Sequence, residues 1–261
     1  MNVANVTVSA TAHGFTLPAL DETGTAVSSA VVVAKRVSSL FTDEIEMYTE
    51  TDRSQKMKAQ TKLPRGEATR QRIVEQSAPV FNRHGYAGTS MAQLMDATGL
   101  EKGGIYRHFE SKQELAAAAF DYAWETVNEP RWRGLEACSN SLDKLSLLVR
   151  NFVGQPQRAI PGGCPLLNNA IDSDDGNPVL RGKAHAALDQ WRKMLVEIVC
   201  EGQRSRELRK DIDADQVATV IIASLEGAVM MSRMERTRDA LLRVGRHLES
   251  YLEGLRFGAG S

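Results

Sequence analysis

At 261 residues, with 42% hydrophobic and 25% charged side chains, the chain can form one large or two modest domains around a real core. Its formal net charge of -1 excludes a general attraction to polyanions, so any binding to nucleic acid needs a local basic patch. Cys138, Cys164 and Cys200 are too few and too scattered for a disulfide framework or a C-x-x-C metal site, which suits a reducing cytoplasm, and the early apolar run "AVVVAKR" is too short for a signal peptide or a membrane span.

Residues 1–62 are rich in Ser, Thr, Ala and Val, carry scattered Gly and Pro, and hold no sustained helical or strand period. The composition predicts a poorly ordered extension; a small strand-bearing appendage and a translation start further along are the alternatives. From about Glu67 onward the pattern is helix after helix. In "EATRQRIVEQSAPVFNRHG", Ile73, Val74, Ser77, Ala78 and Phe81 share one face, and Gly85 suits a left-handed C-terminal cap. Pro79 inside this stretch either kinks the helix or removes one hydrogen bond. Next, "TSMAQLMDATG" offers Thr89 or Ser90 as the cap of a helix that buries Met91, Leu94 and Met95 and stops at Gly99. After a further short helix, Ser111 and Glu114 have the spacing of a capping box that opens "KQELAAAAFDYAWETVNE".

Two short helices joined by the tight turn Thr98-Gly99-Leu100 form a helix-turn-helix pattern. The second, in "GLEKGGIYRHFESK", keeps both Gly103 and Gly104, each of which costs about 1 kcal/mol relative to alanine inside a helix. The cost has a reason if this helix lies in the DNA major groove, because absent side chains let the backbone approach the base edges. Lys102 then reaches a guanine edge or a phosphate, while Tyr106, His108 and Lys112 supply donors that grip phosphates. The helix N-terminus at Thr89 and Ser90 offers N–H groups to another phosphate. Residues 61–115 hold eight Lys and Arg against six Asp and Glu, a sign that agrees with DNA and a size too small to decide the matter.

The segment "TRQRIVEQSAPVFNRHGYAG" followed by "TSMAQLMDATGLEKGGIYRHFESKQEL" closely resembles the DNA-binding domain of the TetR family, the tetracycline-repressor-like transcriptional regulators. The match covers about residues 67–120 and rests on F-x-x-x-G-Y-x-G-T, the glycine turn and G-x-Y-x-H-F-x-S-K-x-x-L. The resemblance implies a dimeric, all-helical, ligand-responsive regulator, usually a repressor. It further implies that Tyr106, His108 and Lys112 occupy phosphate-contact positions and that Lys102, Gly103, Gly104 and Arg107 occupy base-facing ones. The chain departs from the family pattern at Glu101 and Gly104, so the resemblance implies no operator sequence.

The remaining segments are long amphipathic helices. "PVLRGKAHAALDQWRKMLVEIVCEGQ" repeats apolar residues on one face, and "DADQVATVIIASLEGAVMMSRM" is apolar on two. "DALLRVGRHLESYLEGL" spaces Leu241, Val244, Leu248, Tyr251 and Leu255 three and four apart, a seam that wants a partner helix. Together with Val217, Ile221 and Met231, this seam predicts a homodimeric four-helix bundle; packing within the chain's own core is the alternative. A dimer also suits a short reading helix, since two copies on a palindromic operator raise affinity and specificity together.

Phe120, Trp124, Trp132, Phe152, Trp191, Met194, Met230 and Met234 are candidates to line an apolar effector pocket. In "IPGGCPLLNNAIDSDDGNP", Cys164 follows two glycines at the start of a helix, where the dipole would favour a thiolate. Two readings stay open there, a thiol-based redox or electrophile sensor and a small buried residue. His13, His84, His108, His185 and His247 lack metal-ligand spacing, and no catalytic motif is present, so an enzyme is not expected. A helical adaptor without sequence-specific DNA binding is a further alternative.

The sequence thus predicts an all-α chain: an extension (1–62), a helix-turn-helix domain (63–122) and a helical ligand-binding and dimerisation domain (123–257). The expected function is a cytoplasmic repressor that takes a small, largely apolar effector, with double-stranded DNA and a second copy of itself as partners. No cofactor, metal or membrane is expected.

Overall fold

A computed structural model describes residues 64–155, 160–172 and 176–258; the expectation for residues 1–62 lies outside them. Among the described residues nine α-helices follow one another and no strand forms, apart from an isolated bridge between Leu208 and Arg256. α1 (Arg65–Gly88), α2 (Met91–Thr98), α3 (Lys102–Tyr106) and α4 (Lys112–Trp132) come first. α5 (Ser141–Gly154), α6 (Pro165–Asp172), α7 (Pro178–Arg204), α8 (Ala214–Glu235) and α9 (Asp239–Glu253) complete the chain.

The helix ends follow local chemistry. α1 runs through Pro79 and leaves helical geometry at Gly85 (φ 69°, ψ 175°). Ser90 caps α2 with a full capping box, its hydroxyl accepting from the Gln93 N–H while the Gln93 side chain accepts from the Ser90 N–H. Gly99 (φ 63°) ends α2 in the left-handed region and donates to the Met95 carbonyl at 2.8 Å. At α4 the capping box is only half formed. Ser111 accepts from the Glu114 N–H, but the Glu114 carboxylate reaches the Glu110 N–H at 2.7 Å and pairs with Arg70 at 3.2 Å.

Two cores result. Ile73, Val74, Leu94, Ile105, Phe109 and Leu115 form a small one that sets α1, α2, α3 and the start of α4 against each other, with Leu100 packed on it. The larger one joins α4, α5, α7, α8 and α9 and includes Phe120, Trp124, Phe152, Trp191, Leu195, Ile221 and Leu248. α4 contributes to both, so position 122 falls inside a continuous helix. α8 is long and apolar enough to cross a membrane by length and composition alone. It packs between α7 and α9 as a core helix.

The expected dimer seam is corrected here. Val217, Ile221, Leu241, Leu248 and Leu255 are buried within the chain's own core, and Val244 and Tyr251 pack partly buried against it. The seam on α9 already has its partners, α5 and α8. Fully burying side chains of this size is worth roughly 1.5 to 3 kcal/mol each, so the five buried ones are not available to a second chain. Of the eight residues only Met231 is exposed, with Met230, Met234 and Val220 beside it on the outer side of α8.

Candidate nucleic-acid interface and adjoining cavity

The candidate DNA-binding face is built outward from Ile105 and Phe109, which are 1% and 2% exposed and fix α3 to the small core. That anchoring turns Lys102, Gly103, Tyr106 and Arg107 into solvent, with His108 half-buried beside them. A Cβ on Gly103 would meet nothing within 4 Å, and one on Gly104 would meet only Leu100 at 3.5 Å, an ordinary contact. Neither glycine is therefore demanded by the chain's own packing. Lys102 holds its ammonium 5.9 Å from the centre of the Tyr106 ring, and the Tyr106 hydroxyl lies 3.6 Å from the Met91 sulfur.

Three expected phosphate contacts have internal duties. Thr89 is 2% exposed and donates its hydroxyl to the Gly85 carbonyl at 2.6 Å, so its side chain is corrected to a helix-end tie. The Ser90 N–H is taken by Gln93, leaving the exposed Ser90 hydroxyl proton as its one outward donor. Lys112 is half-buried, donates to the Tyr86 carbonyl at 2.6 Å and stands 4.4 Å from the centre of the Tyr86 ring. Burial pushes its ammonium below the ordinary lysine value, and Asp172 opposes the shift. Asp172, on α6, accepts the Tyr86 N–H at 2.6 Å. Lys112 and Asp172 thus clamp the backbone on both sides of Tyr86, at the end of α1, from two helices.

The second contact between α1 and the later helices is denser. Asn82, 6% exposed on α1, donates to the Pro161 and Gly163 carbonyls at 3.1 and 3.0 Å. Asn168 of α6 donates to the Asn82 carbonyl, the Asn82 side-chain oxygen and the Gly162 carbonyl, all within 3.0 Å. Arg233 of α8 donates to the Asn168 side-chain oxygen at 3.2 Å. Gly162 (φ 116°) and Gly163 (φ 98°) make this loop possible. Added Cβ atoms would stand 2.8 Å from the Asn82 carbonyl oxygen and about as close to the Arg233 side chain, in a backbone region that disfavours any side chain.

This loop is also a wall of a cavity of about 400 Å³, a size in the range of small-molecule sites. Val127, Phe152, Ile160, Val229 and Leu241 give it apolar surface; Arg131, Gln155, Arg233 and Arg236 give it polar surface. Of the residues expected to line a pocket, Phe152 and Cys164 do so. Trp124 and Trp191 stand in the core behind it, with Trp191 stacked on Phe152 at 5.8 Å and tilted against Trp124 at 6.3 Å. Phe120 lines a separate cavity of about 20 Å³ between α1, α4 and α6, room for about one water. Met194 and Trp132 pack partly buried on the large core. Met230 and Met234 are corrected: they are 48% and 79% exposed on the outside of α8, because its inward face is filled by Ile222, Leu225 and Ala228.

Cys164 corrects the thiolate expectation as well. It is buried and donates its S–H to a Glu226 carboxylate oxygen at 3.0 Å. Burial, then the Glu226 charge, push the thiol up to about 12, so the helix start does not make it a nucleophile. Glu226, on α8, is itself raised above the ordinary carboxylate value by burial, and its second oxygen has no partner.

Sequence reasoning missed Arg131, Gln155, Arg233 and Arg236. A buried arginine in the last turn of an aromatic-rich helix was the available signal, and it reads in sequence as an ordinary C-terminal charge.

Two family profiles match the chain, "Bacterial regulatory proteins, tetR family" over residues 73–119 and "Tetracyclin repressor-like, C-terminal domain" over residues 141–248. A TetR transcriptional regulator from Chloroflexus aurantiacus J-10-FL is 45% identical, covering 75% of this chain and all of that one, with a TM-score of 0.72. A TetR-family regulator from Cytophaga hutchinsonii is 38% identical over 75% of this chain and 98% of its own, with a TM-score of 0.69. The transcriptional repressor DhaR of Mycobacterium sp. strain GP1 is 27% identical over 172 residues, 66% of this chain and 86% of that protein. With a helix-turn-helix turned to solvent on a helical body, and relatives that are regulators and not enzymes, the chain belongs to the TetR family of helix-turn-helix transcriptional regulators.

Proposed function

We propose that the chain is a homodimeric repressor that binds a palindromic operator through α3 and leaves it when a small molecule with an apolar body occupies the 400 Å³ cavity. Lys102, Gly103, Gly104 and Arg107 read base edges; Tyr106, His108 and the Ser90 hydroxyl hold phosphates. Lys112 sets the angle of the head and lends its remaining donors to the backbone. What supports base reading is the open space over Gly103 on a helix rigidly seated by Ile105 and Phe109.

The observation that carries ligand response is the loop Pro161-Gly162-Gly163. One side of it lines the cavity; the other is hydrogen-bonded to Asn82 of the head helix. A ligand that moves this loop or Arg233 acts on α1 through groups already in contact. The shift it can cause is bounded by its differential affinity for the two head positions. The dimer contact is the outward face of α8, where Val220, Ala223, Gly227, Met230, Met231 and Met234 recur at helical spacing. An exposed apolar stripe of this length is expected to be covered.

Selection of bound fragments from a random duplex pool by the full chain tests the reading. Recovered sites should show two inverted half-sites with their centres about one helical turn, or a multiple of it, apart. Single, unrepeated motifs would contradict the dimer, and no enrichment would contradict DNA reading.

A further inference from the structure

Arg131 is an unusual group to find in an aromatic core. It is 4% exposed, and its guanidinium lies 4.1 Å from the centre of the Phe152 ring and 5.5 Å from that of Trp191. Its hydrogen bonds go to neutral amides: Nε to Gln155 Oε1 at 3.3 Å and Nη1 to Asn128 Oδ1 at 3.2 Å. No ion pair among the described residues engages it. A buried cation without a counter-charge is costly. Glu226, the acid that feels the Arg131 charge, has one oxygen bonded to Cys164 and is held toward its neutral form by burial.

The charge faces the cavity, and it is not alone there. Arg233 and Arg236 line the same space, Arg236 from a left-handed backbone (φ 56°) at the end of α8, and no described Asp or Glu lines it. Backbone strain of this kind persists where surrounding structure requires it. Three guanidinium groups around an apolar chamber describe a counter-surface for one negative charge on a hydrophobic body.

We infer that the effector is an amphipathic carboxylate, its carboxylate held by Arg131 and Arg233 and its body packed on Phe152, Ile160, Val229 and Leu241. The assignment rests on the ligand-responsive reading above and makes it specific. Arg233 now holds Asn168, which in turn holds Asn82. A carboxylate on Arg233 competes with that bond, so the recognised charge is itself the trigger.

Calorimetric titration of the full chain with decanoate and 2-naphthoate, against decanamide and 2-naphthamide, tests the charge requirement. At least one acid should bind below roughly millimolar concentration, and its amide at least tenfold more weakly, the size expected for a charged hydrogen bond. Arg131→Gln and Arg233→Ala should each weaken the acid about tenfold and narrow the gap to the amide. Arg233 is exposed, so its variant keeps the test open if Arg131→Gln folds poorly. Equal binding of acid and amide, or no heat from either acid, overturns the assignment. Operator binding followed in parallel separates the two readings: an acid that binds but does not release DNA upholds the site and contradicts the ligand response.

Discussion

Lys102 stands in solvent beside Tyr106, whereas Lys112 is tied to the Tyr86 carbonyl, so losing each ammonium has a different consequence. Lys102→Ala is expected to relax preference at one base position by about tenfold, read by anisotropy on operators varied base by base. Lys112→Ala is expected to weaken binding to every sequence alike and to lower the melting temperature, since it frees one half of the clamp on Tyr86. Equal, sequence-independent losses with unchanged melting would show both to be phosphate contacts only. Glu226 gives a pH signature. Because burial raises its folded value, the stability it contributes is full below the ordinary carboxylate range and is lost as pH rises through the raised value. Glu226→Gln cannot ionise, so its melting temperature is expected to gain on the parent as pH rises above the ordinary carboxylate range. A pH-independent difference would mean that Glu226 is not held toward its neutral form.

At the scale of elements, the helices of the head were legible because their signals are local. Ser90, Gly99 and Ser111 act through bonds spanning three or four residues, and the apolar spacing of Met91, Leu94 and Met95 has no competing use. The faces of α8 and α9 were not, because a three-and-four spacing says that a partner exists without saying which chain supplies it. Here the same chain supplies it, α7 for α8 and α5 for α9 besides their contact with each other, and the surface left over on α8 is the one ending in Met230, Met231 and Met234. Met231→Glu is therefore expected to give monomers in sedimentation with unchanged helicity. A dimer that survives this change would move the contact elsewhere. By contrast Ile221→Ala, in the core, is expected to cost about 2 to 5 kcal/mol of stability.

Over the whole molecule, the loop at residues 160–164 is where the cavity and α1 of the helix-turn-helix domain meet, and this was invisible in sequence. Asn82 and Asn168 are 86 residues apart, and nothing local marks either as a partner of the other. Asn82→Ala removes the joint without altering α3. It is expected to lower the melting temperature and weaken operator binding while leaving base preference intact; unaltered affinity would mean the head is not positioned through this contact. Specific DNA binding depends most on the short helix that carries Gly103 and Gly104. Anisotropy of the full chain on its selected duplex, against a shuffled duplex and heparin, measures that directly. The expected result is a preference of roughly a thousandfold or more for the selected duplex, lost in Gly103→Leu with helicity retained. Equal affinity for all three polyanions, or normal binding by the leucine variant, would contradict it.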